Sequence, residues 1–303
     1  MQRLLGIGEC MVELSQLANG TLQRGYAGDV LNTLWYAAQM TDGRVQPQFF
    51  SAVGRDRCSQ DMLSFIQRSG VDCQHVQRDP TRSAGLYMIH LDGAERSFSY
   101  WRDTSAAREM TNDLNPLWRS VAQADLVYLS GISLAILPSD HVDQLLEGLR
   151  QHMAPNAFLA FDPNVRPRLW QGAERMRQVI ERAAHMADIV LPSFDDESRY
   201  FGDATPSETI ERYRSNTTRC IVVKDGANPT HIWTPQQHHS IAVPPVRDLV
   251  DTTAAGDSFN GAFLCNYLAE NDFVTAVLAA QQCSARVVRH RGALVPLPIP
   301  ADV

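Results

Sequence analysis

DTTAAGDSFNGAF, residues 251–263, is the stretch on which the reading of this 303-residue chain turns. From Ser258 onward, Phe259, Ala262, Phe263 and Tyr267 recur at helical spacing, so Ala254, Ala255 and Gly256 fall at or just before a helix N-terminus. Backbone N–H groups at a helix start lack intrahelical acceptors. With only small side chains around them they form an anion site that the helix dipole reinforces. Asp257 stands at the edge of that site. Unless it merely caps the helix, a carboxylate beside an anion hole is a costly neighbour for a phosphate, and accepting a proton from an attacking hydroxyl is the work that justifies it.

Working outward, apolar runs about the length of buried strands recur at 48–53, 125–129, 157–161, 188–191 and 220–223. Most are separated by segments with helical spacing, as at 59–69, 139–150, 173–187 and 207–215. This alternation predicts an α/β fold with a doubly wound, mostly parallel sheet flanked by helices, which binds ligands at the carboxyl ends of its strands. Two stretches break the rhythm, 12–24 and 85–102. In the second, LYMIHLDGAERSFSYWR places an Asp92-Gly93 turn signal between β-rich arms. We read them as insertions forming a small antiparallel sheet that serves as a lid. No repeat or linker interrupts the chain, so residues 1–303 are expected to form one α/β domain.

Composition removes several classes of function. At 44% hydrophobic and 20% charged residues the chain is globular, and a formal net charge of −7 argues against binding a nucleic-acid backbone. Lys224 is the only lysine, the other 26 basic residues being arginine. It follows Val223, which excludes a Walker A loop. The six cysteines contain no CxxC pair, so neither a zinc site nor a disulfide framework is signalled, and a reducing cytoplasm is expected. No run of 18 apolar residues suggests a membrane partner. GIGE at 6–9 lacks the third glycine and the following helix of a dinucleotide fingerprint.

The 251–263 segment resembles the C-terminal signature of the ribokinase-like (PfkB) carbohydrate kinases. The resemblance implies that Asp257 is the catalytic base and that Ala254, Ala255 and Gly256 form the anion hole, with Ala-Ala-Gly replacing the commoner Gly-Ala-Gly. It extends from Leu4 to about Ala293. GYAGDVLNT (25–33) is similar to the family's sugar-binding segment, which makes Gly28, Asp29 and Asn32 substrate candidates. FDPNVRPRLW (161–170) resembles its DxNxR segment, which places Asn164 and Arg166 toward nucleotide and substrate. LPSFDDE (191–197) resembles its magnesium-linked NxxE segment, with Ser193 replacing Asn and either Asp196 or Glu197 replacing the glutamate. VVKDGANP (222–229) resembles the turn that approaches ATP, with Lys224 and Gly226 as contacts. The cofactors implied are ATP and Mg²⁺, with Asp251 and Thr253 as candidates for a monovalent-cation site such as K⁺.

Substrate choice is assigned to the lid and Arg166. Phe98, Tyr100 and Arg102 alternate and share one face, and Tyr87 lies on the partner strand. Arginine presents a fork matched to carboxylate, so Arg102 and Arg166 converging on one pocket suggest an acidic sugar. GECMVELS (8–15), SYWR (99–102), YLSGISLAIL (128–137) and NVRPRLW (164–170) are similar to a sugar-acid branch of the family. The competing readings are a neutral-sugar kinase and a catalytically idle regulatory protein. The aromatic lid also suggests a homodimer formed through it.

Overall fold

The computed structural model describes residues 1–17, 19–92 and 95–297. The chain opens with β1 (Gln2–Ile7), β2 (Met11–Gln16), β3 (Leu22–Ala27), α1 (Asp29–Met40), β4 (Val45–Phe50), β5 (Ala52–Val53) and α2 (Arg57–Arg68). It continues through β6 (Gln77–Arg78), β7 (Leu86–Asp92), β8 (Glu95–Trp101), α3 (Asn115–Val121), β9 (Leu126–Ser130), α4 (Gly131–Ala135) and α5 (Ser139–His152). Then come β10 (Phe158–Asp162), α6 (Ala173–Met186), β11 (Ile189–Val190), α7 (Phe194–Phe201) and α8 (Pro206–Tyr213). The last elements are β12 (Cys220–Val223), β13 (Thr230–Trp233), β14 (His238–Ile241), α9 (Ala255–Glu270) and α10 (Phe273–Val287).

The main sheet has the order β14-β13-β12-β11-β10-β9-β1-β4. From β12 to β4 neighbouring strands are parallel, and β13 and β14 close one edge antiparallel. Its strands read as continuous apolar runs because both faces are covered. In β9, Leu126 and Tyr128 face one core and Val127 and Leu129 the other. The first core joins α1, α9 and α10 to the sheet through residues such as Leu34, Phe263 and Val277. The second joins α3, α5, α6 and α8 through Leu117, Leu145, Ile180 and Ile210. Each fully buried Leu or Ile stabilises the fold by about 1.5–3 kcal/mol against its exposed state.

The contact of α9 with α1 on the first face depends on Gly261. A Cβ there would lie 2.3 Å from the Thr33 carbonyl oxygen, so α9 can approach α1 this closely only without a side chain at that point. The start of α9 is thereby brought against the start of α1.

Two expectations are corrected. The small sheet has the order β3-β2-β7-β8 and is mixed: β2 pairs antiparallel with β3, but β2 and β7 run parallel. Both strands leave the main body in the same direction, through separate crossings, which sets that pairing. The run 48–53 divides at Ser51, where β5 leaves the main sheet to pair with β6. β7 and β8 pair antiparallel as the turn signal requires, but Gly93 of that signal lies outside the described residues.

Candidate active site

Four strand or helix ends converge beyond the carboxyl edge of the main sheet. At α9, Ala254 is the N-cap in a left-handed conformation, φ 58°, and its carbonyl accepts the Ser258 N–H at 2.8 Å. The Ala255 N–H is used locally, donating to the Thr252 carbonyl at 3.1 Å. Helix geometry leaves the Gly256 and Asp257 N–H groups without intrahelical acceptors. Of the three residues expected at the anion hole, Ala255 thus spends its amide locally while Gly256 presents a free one, joined by that of Asp257 itself. Asp251 braces the approach, accepting from the Thr253 N–H (3.0 Å), the Thr253 hydroxyl (2.7 Å) and the Gly292 N–H (2.8 Å).

The Asp257 carboxylate accepts a hydrogen bond from the Asn32 side-chain amide at 2.8 Å, and the Asn32 oxygen accepts the Gly28 N–H at 3.3 Å. The segments expected to carry the base and the sugar contacts, 225 residues apart in the chain, thus touch directly. Burial, followed by the neighbouring charge of Asp29, pushes the Asp257 carboxyl up to about 7, while the Asn32 bond pulls the other way. A carboxyl poised there exchanges protons readily near neutral pH.

Asp29 is held in turn by the Asn164 side chain, which donates at 2.8 Å. Asn164 itself sits at φ 34°, and its N–H donates to Asp162 at 3.0 Å. The Lys224 ammonium donates to Asp162 (3.2 Å) and to Asn260 (3.0 Å), with its side chain 10% exposed. A Cβ on Gly256 would lie 3.8 Å from the Lys224 nitrogen, which places the chain's one lysine beside the free amides. Gly226 turns the chain after it with φ 56°.

The structure separates the two acidic candidates of the 191–197 segment. Asp196 lies on the site side of α7, accepting the Val165 N–H at 3.2 Å and facing the Arg166 guanidinium at 3.5 Å; burial raises its carboxyl. Glu197 points into the protein, where it accepts from Arg212 and from the Tyr213 hydroxyl, both at 2.8 Å. Ser193, at the N-cap of α7, bridges backbone to backbone with Lys224. Adjacent residues on one helix point 100° apart, which is why one can face ligand and the other core.

In the small sheet Tyr87 stands opposite Tyr100, with ring centroids 5.9 Å apart, and its hydroxyl donates to the Glu13 carboxylate. Arg102 turns inward to Glu9, whereas the Arg166 side chain is 51% exposed. Sequence reasoning passed over Glu9, Glu13 and Asn260. Asn260 alone left a signal: it is three residues beyond Asp257 and so shares its helix face. Its amide also donates to Asp162 at 2.6 Å and to the Tyr128 hydroxyl at 3.2 Å, joining α9 to the sheet.

The model of the pfkB family carbohydrate kinases matches residues 1–300. The chain belongs to the pfkB family of carbohydrate kinases. It is 36% identical over 299 residues to the 2-dehydro-3-deoxygluconokinase of Dickeya dadantii, covering 96% of each chain. To the enzyme of that name from Haemophilus influenzae it is 34% identical over 302 residues, covering 97% of this chain and 96% of the relative. The crystal structure of fructokinase with bound ATP from Xylella fastidiosa has the same fold, with a TM-score of 0.80 at 24% identity over 98% of this chain and 95% of that one. In this pfkB kinase the expected base, Asp257, and Asn32 of the expected sugar segment are in direct contact, and Lys224 lies beside the free amides of α9.

Proposed function

We propose that this pfkB kinase transfers the γ-phosphoryl group of ATP to the terminal hydroxyl of 2-dehydro-3-deoxy-D-gluconate. The observation that carries the reading is the Asn32–Asp257 hydrogen bond, because a hydroxyl held by the sugar segment is thereby delivered to the base. Asp257 takes the hydroxyl proton as the substrate oxygen bonds to the γ-phosphorus and the bond to the β-phosphate oxygen breaks, giving ADP and the 6-phosphate. The Gly256 and Asp257 N–H groups and Lys224 meet the charge that builds on the phosphoryl oxygens. Gly28, Asp29 and Asn32 hold sugar hydroxyls, Tyr87 and Tyr100 wall the pocket, and Arg102 and Arg166 receive the carboxylate. Asn164, Arg166, Ser193 and Gly226 line the nucleotide side.

Asp196 fits an ion that keeps most of its water, since it offers one carboxylate and no cluster of three metal-binding side chains occurs among the described residues. Mg²⁺ bound there would neutralise the ATP phosphates; Asp196 would orient its hydration shell. Asp251 ties the 288–292 loop to the start of α9, which supports a K⁺ site in which backbone carbonyls join Asp251 and Thr253. No helix among the described residues is long and apolar enough to cross a membrane. A cytoplasmic enzyme of one domain, working as a homodimer joined at the lid, completes the proposal, with no role for nucleic acid.

The test is ADP release with Mg-ATP across 2-dehydro-3-deoxygluconate, its galactonate epimer, gluconate, fructose and ribose. Preference for the keto-deoxy acids is expected. Preference for fructose or ribose would leave Asp257 as base and overturn the sugar-acid assignment, and no turnover with any sugar would overturn the kinase reading.

A further inference from the structure

Four backbone crossings connect the small sheet to the main body: Gly8–Cys10 between β1 and β2, Gly28 between β3 and α1, Gly85 before β7, and Arg102 after β8. All four meet at Glu9. Its carboxylate, 2% exposed, accepts from the Arg102 guanidinium through one oxygen and from the Ser105 hydroxyl at 2.6 Å through the other. Gly85 lies against the same carboxylate, where a Cβ would come within 2.9 Å of Oε1. Gly28 lies against the Glu9 carbonyl, where a Cβ would come within 2.1 Å of the oxygen. One residue thus lies against each crossing between the small sheet and the main body.

Arg102 is 7% exposed, and its Nε–H, although buried, has no partner among the described residues. A buried donor without an acceptor costs stability, and a buried arginine without its counter-ion costs more. Glu9 removes the second cost and leaves the first. The arginine is therefore held fixed with one donor unspent.

We propose that Glu9 is the pivot of the lid and a positioning residue for the sugar. It pins the lid root and fixes Arg102 so that its unspent Nε–H donates to an oxygen of the bound sugar. The proposal rests on the reading of the small sheet as a sugar-covering lid. A rise or fall of the lid about this root moves Arg102 with it, so sugar binding and lid position are coupled through one ion pair.

The test compares wild type, Glu9→Gln, Arg102→Met and the double variant, each with whichever sugar the wild type prefers. Glu9→Gln is expected to raise KM for the sugar about 10-fold or more while KM for ATP changes less than about twofold, the split expected of a misplaced sugar contact. In the Arg102→Met background the same change is expected to add little. Amide exchange should accelerate at 86–90 and stay unchanged in β9. An unchanged sugar KM, or both KM values rising together with faster exchange in β9, overturns the proposal. Should Glu9→Gln fail to fold, Glu9→Asp keeps the charge on a stem one methylene shorter. It should give the same split at smaller size, and absence of the split overturns the proposal. A wild type that prefers a neutral sugar removes the sugar-acid assignment and leaves this comparison intact.

Discussion

Asp257 carries a proton affinity that the sequence around it does not explain. Its carboxyl is pushed up to about 7 by burial and by Asp29, a residue more than two hundred positions away. With the acid form dominant below that value, turnover should fall on the acid side of neutrality, and kcat/KM against pH should show a limb near 7 in the free enzyme. Asp257→Asn should lose about 10²–10⁴-fold in kcat with sugar and ATP still bound, as removal of a general base does. Near-normal turnover would exclude Asp257 as the base. The same shift has a stability sign. The folded carboxyl binds its proton more tightly than the unfolded one, so wild-type stability declines as pH rises from the ordinary carboxylate range through 7. Asp257→Asn should therefore melt higher relative to wild type at pH 8 than at pH 4, and thermal melts at the two pH values check this. At this scale the 251–263 segment was legible because helix-start chemistry is local. Glu9 was not, because a buried Glu acquires its meaning only from a partner about 90 residues distant, and Asn260 showed only that it shares the helix face of Asp257, its partner Asp162 lying about 100 residues away.

The elements that place those residues are α1 and α9. Their starts meet because Gly261 admits the Thr33 carbonyl at a distance no side chain allows. Gly261→Ala should force the helices apart at the level where Asn32 bonds Asp257. We expect a lower melting temperature, an overpacking cost of about 1–3 kcal/mol, and a fall in kcat larger than any rise in KM for ATP. A variant that melts like wild type would show that the close approach can relax without cost. Most strand and helix positions of the main sheet were readable from periodicity because both of its faces are covered, the run 48–53, which divides between two sheets, being the exception. The parallel pairing of β2 with β7 was not readable. Local turn chemistry fixes hairpins such as β7–β8, whereas a pairing across some 70 residues is decided by where the crossings enter the small sheet.

At the scale of the whole molecule the aromatic residues of the small sheet are arranged unevenly. Leu17, Leu22, Phe98, Tyr100 and Trp101, in or beside the small sheet, are exposed, Trp101 by 59%. Apolar surface of this kind is ordinarily covered by a partner, and the proposed dimer covers it with its own copy. Trp101→Asp should place a charge at that contact and shift the sedimentation coefficient toward the monomer. An unchanged dimer, or a wild type that is already monomeric, would exclude the lid as the joint.

The solitary Lys224 gives the molecule an unusual chemical surface. The other 26 lysine-or-arginine positions all carry a guanidinium, and the one ε-amine is enclosed by Asp162 and Asn260 beside the free amides of α9. Acylating reagents that decorate most proteins at many sites meet here a single side-chain target, shielded and placed where the triphosphate is expected. The extent of its modification becomes a one-residue gauge of nucleotide occupancy, free of the background that surface lysines impose elsewhere.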